Sequence, residues 1–355
     1  MELFLKLFVV FFISLSITPF IIKFAFILGA VDSPSKRKVH KIAMPRLGGL
    51  AIVLAFYVGV LLFIPESMYL KGVLVGSFII AITGFLDDIF ELNPKWKLMG
   101  QLLASFFVVS SGLYIKFMHI PFLGQVNIGW WGIPITFIWI LVVTNSINLI
   151  DGLDGLAAGI SIIVLSTIVY LSLPGQNFVV QMSLIMIFAI LGFLIYNFYP
   201  AKVFMGDIGS LFLGFIISVL SLLEFKNVTL LSLLVPALIL GVPLSDTFFA
   251  IVRRVINKKS ISSADKSHLH HNILKLGFTH LQTVLIIYLI SILFSLSAII
   301  FSRSTVWISI IIIFCMLFFI EVMGEILELF GKNYKPLTKL FIKISAYVYK
   351  RDQNQ

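Results

Sequence analysis

Apolar runs separated by short polar breaks fill the chain almost from end to end. A bilayer core takes about 20 apolar residues of helix. On that measure the pattern predicts eleven spans, at 3–28, 48–65, 70–90, 97–117, 133–149, 155–173, 179–198, 208–224, 229–252, 281–301 and 305–323. One break reads differently. His119 to Gly132 carries turn residues and two tryptophans, and is expected as a small external β-hairpin with a Trp anchor at the interface. Past the last span, Leu337, Leu340, Phe341, Ile344 and Val348 mark one helix face with Lys339 and Lys343 off it, which predicts a helix lying on the inner leaflet. The expected fold is an all-α polytopic integral membrane protein, with one multi-span domain at 1–323 and an amphipathic cytoplasmic tail at 324–355.

Composition closes off the soluble alternatives. The 355 residues are 60% hydrophobic and 12% charged, and the polar loops are too short to build a second domain. The first run is too long for a signal-peptide core and has no cleavage pattern, so it reads as a retained span. The lone Cys315 excludes an internal disulfide.

Charge then orients the chain. Threading the spans alternately puts 20 Lys and Arg on one side and four (Lys71, Lys116, Lys226 and Arg303) on the other. The basic side is cytoplasmic by the positive-inside rule, which leaves the N-terminus outside and the C-terminus inside. The same threading gathers Asp32, Asp87, Asp88, Asp151, Asp154, Asp207 and Asp265 on the cytoplasmic side. Acids converging from so many loops predict one site facing the cytoplasm.

Four stretches and one lone acid carry candidate chemistry. Between Thr144 and Gly155, Asn145, Asn148, Asp151 and Asp154 recur every third residue, so on a helix they drift around one side. A carboxylate at the centre of a membrane helix costs roughly 2.5–3.5 kcal/mol, so this group needs water, a cation or a partner. Asp87-Asp88 ends the third span; carboxylates about 6 Å apart repel by roughly 3 kcal/mol at an effective dielectric of about 20. Such a pair holds a cation or raises one pKa to make a general base, and Lys95 or Lys97 could neutralise it or bind phosphate. Around Asp207, Pro200, Gly206 and Gly209 break and free the backbone, and hard oxygen ligands suit Mg²⁺ better than zinc. His268-Leu-His270-His271 follows Asp265 and Lys266 in the longest cytoplasmic loop, where phosphate or sugar contact, zinc and a plain exposed loop are the competing readings. Asp246, inside the ninth span, is either functional or paired to a base such as Arg253 or Arg254.

Together these motifs resemble the polyprenyl-phosphate N-acetylhexosamine-1-phosphate transferases (the glycosyltransferase 4 group). The resemblance rests on Asp87-Asp88 with Lys97 and Gln101, on Asn145-x-x-Asn148-x-x-Asp151-Gly-x-Asp154-Gly, on Phe204-Met-Gly-Asp207-x-Gly-Ser, and on His268-x-His270-His271. It implies transfer of a sugar-1-phosphate from a UDP-N-acetylhexosamine to undecaprenyl (polyprenyl) phosphate in the membrane lipid, with release of UMP. Asn148 and Asp207 would then hold Mg²⁺, with Mn²⁺ as a substitute. Asp87 would deprotonate or orient the lipid phosphate with Asp88 beside it, and Asp151 and Asp154 would line the nucleotide pocket. Phe204 would stack on uracil, Asn197 would bond to the nucleotide, and Lys97 and the three histidines would contact phosphate or sugar. The simple His-x-His-His form, and the 32–49 loop with Arg37, His40 and Arg46, fit the branch using plain UDP-N-acetylhexosamines. That would be the first membrane step toward an envelope polysaccharide such as a teichoic acid or lipopolysaccharide. The expected partners include no nucleic acid; a homodimer is one arrangement the resemblance allows. A double displacement through an Asp nucleophile stays open. The competing class is a cation-coupled transporter, which would place its acids near the membrane midplane between symmetric halves; here they sit at span ends.

Overall fold

The computed structural model describes residues 1–32, 43–120, 124–173, 177–225, 233–258, 260, 267–329 and 335–339. Backbone polar groups in a bilayer have to bond within their own segment, and the apolar runs accordingly fold as helices. In chain order these are α1 (Glu2–Leu28), the short strands β1 (Val31–Asp32) and β2 (Met44–Pro45), α2 (Gly49–Phe63), α3 (Leu70–Phe90) and α4 (Pro94–Ser110). The hairpin strands β3 (Phe117–Ile120) and β4 (Gly124–Asn127) follow, then α5 (Gly132–Ile150), α6 (Leu156–Ser172), α7 (Asn177–Asn197) and α8 (Gly206–Phe225). The chain goes on through α9 (Leu234–Ile239), α10 (Gly241–Ile256), the short α11 (Leu269–Lys275), α12 (His280–Ser302) and α13 (Val306–Ile326).

Among the described residues seven helices are long and apolar enough to cross a membrane (α1, α3, α5, α7, α8, α12 and α13), and α2 and α6 are shorter apolar helices. The chain is an all-α polytopic membrane protein. Helix α4 and the pair α9–α10 occupy the two remaining predicted stretches. The predicted ninth span is broken at Leu240. Pro243 lies four residues after Ile239, where its ring meets the preceding turn and it has no N–H to give. Helix α4 ends at Ser110 rather than at 117, and Gly112, with φ 90°, turns the chain toward the hairpin. Strands β3 and β4 pair antiparallel, Phe117 opposite Asn127, and Trp130 and Trp131 behind them are exposed.

Helix α8 is the axis of the bundle. Of its apolar window 89% is buried, and α2, α3, α5 and α6 pack around it. Phe212 of α8 meets Phe56 of α2 edge-on at 5.3 Å between ring centroids. Between α4 and α5, Gln101 and Asn145 exchange amide hydrogen bonds at 2.8 and 3.3 Å, the kind of polar pairing that joins helices in lipid. Asn145 is thereby spent on packing. Helix α13 lies at the periphery, with 6% of its window buried. Its Glu325 accepts from the backbone N–H groups of Leu337 and Thr338 and from the Thr338 hydroxyl, tying down residues 335–339. The rest of the predicted interfacial helix lies outside the described residues, as do Arg37, His40, Asp265 and Lys266.

Candidate active site

Helices α3, α5 and α7 finish, and α4, α6, α8 and α12 begin, at the same end of the bundle, around a cavity of about 880 Å³. Among the described residues its lining carries seven carboxylates (Asp32, Asp87, Asp88, Glu91, Asp151, Asp154 and Asp207) against the two permanent cations Arg46 and Lys97. That surplus of negative charge dominates the chemistry of the site. Burial, and then repulsion from Asp207, Asp88 and Asp154, raises the Asp151 carboxyl to about 8.

One group in the cavity is a knot of four side chains, Asp87, Lys97, Asn148 and Asp207. Lys97 Nζ lies 2.6 Å from Asp87 Oδ2 and also pairs with Asp207 Oδ2. Asn148 Nδ2 donates to Asp207 Oδ1 at 2.9 Å and to Ser210 Oγ at 2.8 Å. Helices α3, α4, α5 and α8 each contribute one member. Hard oxygen donors of Asp87, Asp207 and the Asn148 amide suit Mg²⁺. Among the described residues no three His, Cys, Asp or Glu side chains form a closed cage, so an ion here would complete its shell with water or substrate oxygens.

Asp88 has a different task from its neighbour. Its two oxygens accept from the backbone N–H groups of Asp207 and Ile208, both at 2.9 Å. Those N–H groups belong to the first turn of α8, which has no partners of its own for them. Asp88 therefore clamps the start of α8 and sets the position of Asp207. Gly206 makes the clamp fit: its φ is +72°, and a Cβ there would meet the Arg46 carbonyl oxygen at 1.8 Å and Asp88 Oδ2 at 2.5 Å. Lys97, expected on sequence grounds to neutralise the acid pair or bind phosphate, is held by Asp87 and Asp207 rather than by Asp88. Arg46 donates from Nη2 to the Asp88 carbonyl at 3.3 Å and lies 3.6 Å from Glu91.

The polar repeat at 145–154 does not stay on one helix. Helix α5 stops at Ile150, Asp151 caps it with φ −76° and ψ 57°, and a turn carries Asp154 across the cavity mouth. Asp154 Oδ2 accepts from Ala201 N at 3.0 Å. Asn197 is buried; its Oδ1 accepts from Gly155 N at 3.1 Å and its Nδ2 donates to Val203 O at 2.9 Å. It ties the Asp154 turn to the Phe204 loop. Phe204, half-buried, lines the cavity, fixed through its backbone to Pro45 and Gly48. Tyr199 and His280 complete this wall, with their rings stacked at 4.6 Å. Asp154 N donates to His280 Nε2 at 3.3 Å. Sequence reasoning missed His280; its signal was a capping box, Thr279 with Gln282, that starts α12 at the cavity.

The three histidines divide. His271 lines the cavity, half-buried. His268 is buried behind it, its Nδ1 2.8 Å from Asp246 Oδ2, while Asp246 Oδ1 accepts from Leu269 N at 2.7 Å. The partner of Asp246 is thus His268 with the first turn of α11, rather than Arg253 or Arg254. His270 is 2% exposed and packs on Gly152, where a Cβ would meet its Nε2 at 2.4 Å. Burial first, and then His271, lowers the His270 imidazole to about 3. Such burial rules out a plain exposed loop for this motif.

Comparison with known proteins agrees with this geometry. Residues 70–224, which span α3 to α8, match the model of glycosyl transferase family 4. The chain is 48% identical over 334 residues to a probable undecaprenyl-phosphate N-acetylglucosaminyl 1-phosphate transferase of Bacillus subtilis, covering 93% of each protein. It is 33% identical over 299 residues to a decaprenyl-phosphate N-acetylglucosaminephosphotransferase of Mycobacterium tuberculosis, covering 74% of this chain and 73% of the relative. A phospho-N-acetylmuramoyl-pentapeptide-transferase of Borreliella afzelii is 29% identical over 300 residues, covering 75% and 84%. With the motifs gathered in one cavity and near-complete coverage at 48% identity, the chain belongs to glycosyl transferase family 4, the family its motifs resemble.

Proposed function

We propose that the protein transfers N-acetylglucosamine-1-phosphate from UDP-N-acetylglucosamine to undecaprenyl phosphate, giving a lipid-diphosphate-linked sugar and UMP. The observation that carries this reading is the convergence of Asp87, Lys97, Asn148 and Asp207 from four helices in one cavity at the helix ends. A lipid phosphate rides at the depth of such helix ends while its tail stays in the bilayer. The extensive likeness to the Bacillus subtilis protein supports the choice of sugar and acceptor. The positive-inside threading supports placing the cavity on the cytoplasmic side.

Donor and acceptor are both anions entering a cavity that is itself acidic, so alignment and charge neutralisation carry the catalysis. Asp87, Asn148 and Asp207 are the residues that would hold Mg²⁺, with the Asn148 Oδ1 as its ligating atom. Bound there, the ion would supply a Lewis acid to offset charge on the diphosphate. Asp87 accepts the proton of the lipid phosphate or orients it. Lys97 and Arg46 meet phosphate oxygens, and His271 reaches the diphosphate or sugar. Phe204 offers a face for uracil, and Asp154 with His280 and Tyr199 shapes the opposite wall. Asn197 and Asp88 act through the backbone, holding the two loops and the start of α8 in register.

The test is UMP release by purified protein from UDP-N-acetylglucosamine, with and without undecaprenyl phosphate, at varied Mg²⁺ or Mn²⁺. Release that requires both acceptor and metal is expected. Release that ignores the acceptor, or none with any UDP-N-acetylhexosamine, would overturn the reading.

A further inference from the structure

The central ammonium sits where a divalent ion would have to go. Lys97 lies in the first turn of α4, whose start is fixed by Asn93 accepting from Lys95 N at 3.3 Å and by Pro94. One turn on, Gly100 lies flush against α3, where a Cβ would meet the Thr83 hydroxyl at 2.2 Å. The backbone of Lys97 is therefore held against α3, while its four-carbon stem remains free to pivot. The ammonium bridges Asp87 Oδ2 and Asp207 Oδ2, so it occupies the interval between the two carboxylates best placed to hold Mg²⁺. The other Asp207 oxygen is taken by Asn148.

A metal ion bound by the same two oxygens would stand within van der Waals reach of that ammonium. Two cations cannot share the position. Lys97 has somewhere to go, because it lines the cavity and is 28% exposed at its side chain.

We propose that Lys97 is the resident counter-cation of the Asp87–Asp207 pair and that a divalent ion enters by displacing it, releasing the ammonium to pair with a diphosphate oxygen of the donor. This inference rests on the metal assignment made above. It has two consequences. Metal binds to the empty enzyme more weakly than the carboxylates alone would allow, because it has to break the Lys97 pairs. Metal and a diphosphate nucleotide bind cooperatively, since each gives Lys97 or the ion the partner that the other has vacated, and the coupling is reciprocal.

The experiment uses the full-length chain in detergent and titrates Mn²⁺ by electron paramagnetic resonance, with and without UDP. Lys97→Met keeps the length of the side chain and removes its charge. Mn²⁺ alone should bind Lys97→Met about tenfold more tightly than wild type, a coupling of ordinary size, and UDP should improve Mn²⁺ binding less in the variant than in wild type. Lys97→Arg, which keeps the charge, should retain weak Mn²⁺ binding, and Asp207→Asn should abolish Mn²⁺ binding in either background. Equal Mn²⁺ affinity in wild type and Lys97→Met, or weaker affinity in the variant, overturns the exchange while leaving the metal site standing. If neither protein binds Mn²⁺ at the Asp207-dependent site, with or without UDP, the metal assignment itself fails, and this inference falls with it.

Discussion

At the scale of single residues, adjacent acids do separable work. Asp87 faces the cavity with Lys97, whereas both oxygens of Asp88 bind the backbone of α8. Asp87→Asn should therefore abolish UMP release with little change in thermal stability. Asp88→Ala leaves two N–H groups of the first turn of α8 without their acceptor, which costs roughly 1–3 kcal/mol each when buried, so it should lower both activity and the unfolding temperature. Thermal unfolding in detergent beside UMP release separates them. Equal loss of stability in both variants would contradict this division. Asp207→Asn and Asn148→Ala should each collapse turnover in folded protein, and near-full activity at limiting Mg²⁺ in either would remove that residue from the metal shell.

At the scale of elements, α11 is held from behind. Asp246 binds its first N–H and His268 together, and His270 closes on Gly152. Asp246→Ala should leave two buried polar groups unpaired and loosen α11, which raises the KM for UDP-sugar through His271 more than it lowers kcat. Asp246→Asn, which still accepts from Leu269, should recover part of the loss; if both variants changed kcat alone, the docking role would be wrong. A pH dependence follows from His270. Its folded pKa, about 3, lies below the 6.5 of a free imidazole because burial disfavours its charge. Above 6.5 neither state is protonated and the contribution to stability is complete. As pH falls from 6.5 toward 3 the unfolded chain gains a proton that the folded chain refuses, so stability drops. The unfolding temperature of His270→Phe should consequently fall less than that of wild type between about pH 7 and 5. Parallel declines would show that other groups govern the acid side.

At the scale of the molecule, the expected orientation puts the cavity inside. A reporter fused after Gln355 should read cytoplasmic, and one inserted at Glu66 between α2 and α3 should read external; the reverse pair of readings would put every cavity acid on the outside.

The sequence alone decided the membrane class, the positions of most helices and the motif residues that come together, because each rests on local quantities. Twenty apolar residues commit a segment to the bilayer wherever it packs, and Pro or Gly ends a helix wherever it stands. Even so, the helical repeat at 145–154 was legible only as far as Ile150, since the turn at Asp151 is held by Asn197 from α7, 42 residues after Gly155. What the tertiary structure decided was which partner each polar group has. Asp88 and Asp87 are neighbours with the same chemistry, and only the approach of α8 to one and of α4 to the other gives them different tasks. Asn145 and Asn148 are likewise one turn apart, yet one pairs with Gln101 to join helices and the other meets Asp207. His280, unremarkable in the chain, reaches the cavity because α12 starts beside the Asp154 turn. Pairing in a polar site is set by distances of about 3 Å between segments far apart in the chain, and local composition and periodicity carry no record of them.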